Sequence, residues 1–174
     1  MFLITSKDEF LLSQISHLFE QKNICITHDI KQKCFLSINC EISNKTLLIS
    51  FKKINMHYNL PLSFEVVVHK LLQELGKFEY NFNNLIYNPI NQTVGSNHKL
   101  IKLKSFHNII IKELILNKDL GVKKNVIYSK LWPNDKSLLI NKLDTHLTNL
   151  KNFLKEELNF DLQFTSIAGQ IKLI

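Results

Sequence analysis

Residues 140 to 158, INKLDTHLTNLKNFLKEEL, constrain the fold more than any other stretch of the chain. Leu143, Leu147, Leu150 and Leu154 step by four, three and four, the spacing of one stripe of an amphipathic helix facing a core. The opposite face carries Asn141, Thr145, Thr148, Asn149 and Asn152. These are short, uncharged hydrogen-bonding side chains, where an ordinary solvated helix displays mostly Glu and Lys pairs.

A chain of 174 residues with 45% apolar content can bury one medium core or two small ones. No apolar run approaches the length needed to cross a bilayer, so a soluble globular protein is expected. The amino terminus, MFLITSKDEF, lacks a basic leader and a small-residue cleavage site. It reads as a strand running into a helix, with no targeting segment removed, and the expected location is the cytoplasm. Cys25, Cys34 and Cys40 are an odd number without CxxC spacing, which predicts reduced, buried thiols rather than a disulfide framework.

The net charge of +7 is unevenly spread. Residues 1 to 76 hold eight Lys against seven acids, and residues 77 to 174 hold fourteen against eight. This asymmetry favours a polyanion as partner of the second part. A membrane surface fits less well, because the lysines are dispersed over several elements. Every basic residue is Lys; there is no Arg.

The first part, 1 to 76, opens with a strand over Phe2 to Thr5. A helix follows, beginning near Ser6 as N-cap, with Phe10, Leu11, Ile15, Leu18 and Phe19 on one face. ICITHDI reads as a second strand, and CFLSIN and TLLISF as a hairpin around EISNK. Pro61 and Ser63 then introduce a helix whose stripe is Phe64, Val67, Val68, Leu71, Leu72 and Leu75, with Gly76 as its cap. The second part, 77 to 174, begins with KFEYNF, LIYN, QTVG and LIKLK, a small antiparallel sheet separated by Asn-rich and Pro-containing turns. SFHNIIIKELILNK, VKKNVIYSKLW and the leucine-striped segment are three helices, and FDLQFTSIAGQIKLI closes the chain as two short strands around Gly169. Sheet, three helices and terminal hairpin predict a winged helix-turn-helix, so the fold class is α+β with two domains.

This order of residues resembles the OmpR/PhoB-type response regulators. Residues 77 to 174 are similar to their effector domain throughout. The spacing from Leu103 to Trp132 fits without a gap, and so does that from Trp132 to Leu154. The family's "V-D-x-H-I-x-x-L-R-x-K-L" stands here as LDTHLTNLKNFL, with Asp144, His146, Leu147, Leu150, Lys151 and Leu154 in step. The terminal "TVRGxGYRL" stands as SIAGQIKL, one residue shorter.

The first part resembles the family's receiver domain poorly. About seventy-five residues stand where a receiver uses about 120, too few for a full doubly wound sheet. Receiver chemistry needs acids after the first strand, an Asp ending the third, and a Lys before the Pro. Here Ser6 and Lys7 follow the first strand with only Asp8 nearby; TLLISF ends in no Asp; and Leu60 precedes Pro61. The reading is a degenerate receiver-like domain working without aspartyl phosphorylation, as a protein-protein or dimerisation module. A small-molecule or redox input through Cys25, Cys34, Cys40 and His28 is the alternative.

The resemblance implies a sequence-specific transcriptional regulator whose third helix lies in the major groove of double-stranded DNA. Trp132, Asn141, Lys142, His146, Thr148 and Lys151, with Lys172 on the wing, match phosphate-contact positions, while Asn149, Thr145 and Asp144 are candidates for base edges; Asn152 shares that face. Asn pairs with adenine and a Thr methyl meets the thymine methyl, whereas Arg most often reads guanine. A chain without Arg therefore predicts A·T-rich sites. Ala168 stands where relatives carry a minor-groove Arg. The loop WPNDKSLL corresponds to the family's loop that can touch RNA polymerase, and a homodimer is expected. Plainer readings stand beside these. Trp132 and His146 are equally suited to packing on the core, Lys123, Lys124 and Lys130 to solvated surface, and WPNDKSLL to a simple connector.

No paired carboxylates, Gly-rich phosphate loop or nucleophile motif is present, so neither an enzyme nor a metal or cofactor site is expected. The rival reading is a winged-helix protein-interaction module without specific DNA binding, because fold alone does not fix function.

Overall fold

The computed structural model describes residues 2–22, 24, 26–96, 99–135 and 137–174. The chain divides into two compact units, Met1–Lys77 and Phe78–Ile174.

In the first unit, β1 (Phe2–Ser6) leads to α1 (Glu9–Gln21), and β2 (Ile26–Thr27) follows. The next three strands are β3 (Leu36–Ser43), β4 (Thr46–Phe51) and β5 (Ile54–Asn59), and α2 (Phe64–Leu75) ends the unit. The five strands form one sheet in the order β2-β1-β3-β4-β5. That is the strand order of one common doubly wound sheet, but the directions differ. β1 runs parallel to β2 and β3, whereas β3 with β4 and β4 with β5 are antiparallel. Two-residue turns join these last three strands, Asn44 and Lys45 both at positive φ and Lys52 likewise. Such hairpins occupy the place of crossover helices, and this shortens the unit.

Several expectations need correction. The N-cap of α1 is Asp8, whose Oδ1 accepts from the Leu11 amide at 2.9 Å. Ser6 lies further back and its Oγ accepts from the Asp8 amide. Phe10 is 67% exposed; the buried stripe is Leu11, Ile15 and Phe19, and a neighbouring position is rotated by about 100° from it. Among the described residues of ICITHDI, Ile26–Thr27 alone pair as strand. TLLISF pairs antiparallel with β3 as the expected hairpin, but it is the fourth strand, and the third, parallel to β1, ends at Ser43. Gly76 caps α2 at φ −64, an ordinary helical angle that uses none of glycine's freedom. Strand β5 was not foreseen. Cys40 is buried, which pushes its thiol up to about 12, and Cys34 is half-buried. Cys25 lies outside the described residues.

In the second unit, β6 (Tyr80–Phe82), β7 (Leu85–Asn88), β8 (Thr93–Ser96) and β9 (Lys99–Lys102) form an antiparallel meander. Then come α3 (Ser105–Leu116), β10 (Val122–Lys123), α4 (Lys124–Leu131) and α5 (Ile140–Leu158). The hairpin of β11 (Phe164–Ile167) and β12 (Gln170–Leu173) closes the chain. β12 pairs with both β11 and β10, so a three-stranded sheet ties the hairpin to the start of α4. The core gathers Ile110, Ile111 and Leu114 of α3, Ile127 and Leu131 of α4, the α5 leucines, and Ile171 and Leu173 of β12.

Candidate nucleic-acid interface

Helix α5 has two faces. Leu143, Leu147, Leu150, Leu154 and Leu158 are buried. At about 100° per residue these leucines share an arc of about 80°. Thr148, Asn141, Asn152 and Thr145 fall within about 60° on the other side, with Asn149 and Lys142 extending that face. All six are exposed. The leucines thus fix the rotation of the helix, and their burial presents amide and hydroxyl groups to solvent. α5 ends at Asn159 in the left-handed conformation, whose amide donates to Lys155 O at 3.0 Å.

The hydroxyls are not all free to donate. Thr145 Oγ1 donates to Asn141 O and Thr148 Oγ1 to Asp144 O, each at 3.0 Å. Each oxygen keeps acceptor capacity.

The other sequence-expected residues surround this face in differing states. Asp144 is half-buried and its Oδ1 takes the Lys124 ammonium at 2.6 Å. The carboxylate is therefore spent on bracing α4 against α5, which argues against its role at a base edge. Trp132, half-buried at the end of α4, lies 4.6 Å from Tyr128, 5.4 Å from His146 and 5.8 Å from Phe106, centroid to centroid. His146 stacks on Phe106 at 5.0 Å and 21°. Both residues thus belong to an aromatic cluster at the junction of three helices. Lys142 Nζ sits 4.2 Å above the Trp132 ring, a cation–π contact that steers it across the surface. Lys151, half-buried, places Nζ 5.3 Å over Phe164 of the hairpin. Lys172 is exposed on β12, opposite Thr165.

Between α4 and α5 the chain is held by Asp135. Its carboxylate accepts from the Tyr128 hydroxyl at 2.6 Å and from the Ser137 amide and hydroxyl. These bonds, that from Ser137 first, lower its pKa to about 2, and the same bond to Asp135 raises that of Tyr128. Beyond this brace Leu138 and Leu139 are 49% and 59% exposed.

Sequence reasoning missed three neighbours. Lys104, Phe106 and His107 line one shallow cleft with His146, Asn149 and Asn152. His107 packs on Phe153 at 5.1 Å, and its Nδ1 is buried without a partner among the described residues. Burial first, then Lys104 and His146, lower its pKa. The one local signal was Lys104 standing directly before α3. Lys124 and Lys130 are not merely solvated: Lys130 pairs with the buried Glu113 at 2.7 Å. Among the described residues no group of three or more His, Cys, Asp or Glu could hold a metal ion, and no helix is long and apolar enough to cross a membrane.

No protein-family model matches the chain, and no curated protein matches it. A solved structure of the C-terminal domain of the nisin resistance regulator NsrR, a lantibiotic response regulator, is similar to part of it. The match covers 55% of this chain and 96% of that one, at 24% identity and a TM-score of 0.43.

Proposed function

We propose that this protein is a sequence-specific DNA-binding transcriptional regulator, with residues 78–174 acting as a winged helix-turn-helix. α5 enters the major groove and the β11–β12 hairpin is the wing. The observation that carries this reading is the exposed row of Asn141, Thr145, Thr148, Asn149 and Asn152 on a helix whose rotation is fixed by buried leucines. Asn149 and Thr145 read base edges; Asn141, Lys142, Thr148, Lys151 and Lys172, with Lys104 beside Asn149, meet phosphates. Trp132 and His146 set the position of Lys142 from beneath. Lacking Arg, the face suits A·T-rich sites.

The first unit works as a degenerate receiver without aspartyl phosphorylation: Asp8 is engaged as a helix cap, β3 ends in Ser43, and Leu60 precedes Pro61. A second reading, a winged-helix module for protein contact alone, draws on the exposed Leu138 and Leu139. An RNA polymerase contact through that loop is compatible with both readings. Sequencing DNA selected by the full-length protein from a random pool separates them. Enrichment of a defined A·T-rich site supports the regulator, and a pool left unenriched favours the module.

A further inference from the structure

Strand β5 is an open edge. Among the described strands it pairs with β4 alone, and over INMHYN it carries no Lys, Glu, Asp or Pro. Natural edges are kept short or guarded by charge, proline or a bulge, because an unguarded row of amides and carbonyls recruits another strand. The other edges follow that rule: β2 and β10 are two residues long, β6 three and β11 four, while β9 begins and ends on lysine. Six unguarded residues are the exception.

The two faces of β5 differ. Ile54, Met56 and Tyr58 stand opposite the buried Phe51, Ile49 and Leu47 of β4, yet are themselves only half-buried. Tyr58 reaches back to Met56, its hydroxyl 3.9 Å from Sδ, and Lys70 of α2 lies 5.8 Å from its ring centroid. The apolar layer therefore continues to the edge strand and ends there partly uncovered. Asn55, His57 and Asn59 face the other way and are exposed.

The turn between β4 and β5 sets which backbone groups point outward. A two-residue turn is flanked by a hydrogen-bonded pair, here Phe51 with Ile54, and pairs alternate from it along the ladder. Ile54, Met56 and Tyr58 thus bond β4, and the amides and carbonyls of Asn55, His57 and Asn59 point away from the sheet.

We propose that two copies of this chain join edge to edge through β5, antiparallel about a twofold axis, into one ten-stranded sheet. An isologous contact needs a surface complementary to itself, and an uncharged strand brings no like charges together. Of the registers that keep the outward groups in phase, two pair five of the six residues of β5. One sets His57 against itself; the other sets Met56 against Met56, Asn55 against His57, and Ile54 against Tyr58. The second gives two aromatic and β-branched pairs, the favourable kind, and extends the half-buried row across the junction. The geometry points to that register. The interface leaves the α5 face of the second unit out of account and stands or falls independently of DNA binding.

The test uses the full-length protein. Sedimentation of the wild type is expected at twice its mass of 20.4 kDa. His57→Pro removes an outward amide while leaving the β4 ladder intact, and Met56→Lys sets two ammonium groups opposite each other. Both should sediment at single mass with an unchanged circular dichroism spectrum. Met56 lies in a non-hydrogen-bonded pair, whose Cα atoms stand about 4.5 Å apart, within disulfide reach. Under mild oxidation Met56→Cys should therefore cross-link, whereas Asn55→Cys and the wild type should not. A wild type of single mass overturns the proposal, as do folded variants that stay dimeric or cross-linking at Asn55→Cys in place of Met56→Cys.

Discussion

Lys124 Nζ stands 2.6 Å from Asp144 Oδ1, joining the first residue of α4 to the first turn and a half of α5. Lys124 is the more enclosed partner, its side chain 16% exposed against 45% for Asp144. Removing the carboxylate leaves an enclosed ammonium without its counter-charge, whereas removing both is milder. Asp144→Ala is expected to cost about 1 kcal/mol of stability, less than that in a Lys124→Ala background. Urea melts of the double-mutant cycle read the coupling. In binding, Asp144→Ala should weaken all DNA sequences alike; a changed preference at one base would restore Asp144 as a reader.

The wing rests on Gly121. Its φ is +77, and a Cβ there would lie 2.9 Å from Ile171 O on β12. Gly121→Ala therefore combines a left-handed backbone, about 1 to 2 kcal/mol, with a backbone clash. Gly169, in the hairpin turn at φ +76, has nothing within 4 Å of that position, so Gly169→Ala carries the conformational cost alone. Thermal melting should rank Gly121→Ala well below Gly169→Ala; equal melting temperatures would mean that β12 yields at Gly121.

His107 makes stability depend on pH. Its folded pKa is lowered by burial, Lys104 and His146, so the unfolded chain takes up the proton more readily. Its neutral form supports the fold fully above the unfolded pKa of about 6.5. That contribution is lost as pH falls from there toward the folded value. Denaturant midpoints at pH 7.5 and 5.5 should drop for the wild type and drop less for His107→Phe. Equal drops would remove His107 as the source.

Asp135 acts in the same sense over a lower pH range. Held at about 2 by Ser137 and Tyr128, its carboxylate keeps the loop before α5 braced above the ordinary carboxyl pKa and releases it as pH falls through about 2. Asp135→Asn should speed hydrogen exchange at the Ser137 amide at neutral pH. Unchanged protection would show that the loop is held by other contacts.

What was legible in the sequence was local. The α5 leucines could be read because helical periodicity lies within a single element, and Asn141, Thr145 and Asn149 are exposed for the same reason: burying one stripe turns the other outward. The first unit was read less well because strand direction is a relation between distant residues. The hairpin of CFLSIN and TLLISF was legible because its strands are neighbours in the chain, whereas the parallel pairing of β1 with β3 joins residues such as Phe2 and Leu36, and INMHYN alternates too weakly to announce an edge strand. The pairs Lys124 with Asp144 and Lys130 with Glu113 join residues of different helices, 20 and 17 positions apart, so no pattern on one helix reveals them. Phe10 shows the limit of adjacency, since Leu11 beside it is buried.

The central claim is that the polar face of α5 reads bases while the lysines around it hold phosphates. Binding titrations of the full-length protein and of Asn149→Ala and Lys151→Ala, at two salt concentrations and on the selected site and its single-base variants, test it most directly. Asn149→Ala should lose about 1 to 3 kcal/mol of discrimination at one base position and keep the salt slope. Lys151→Ala should weaken every sequence alike and reduce the slope by about one. Identical behaviour of the two variants, or affinity for DNA unaffected by either, would contradict the account.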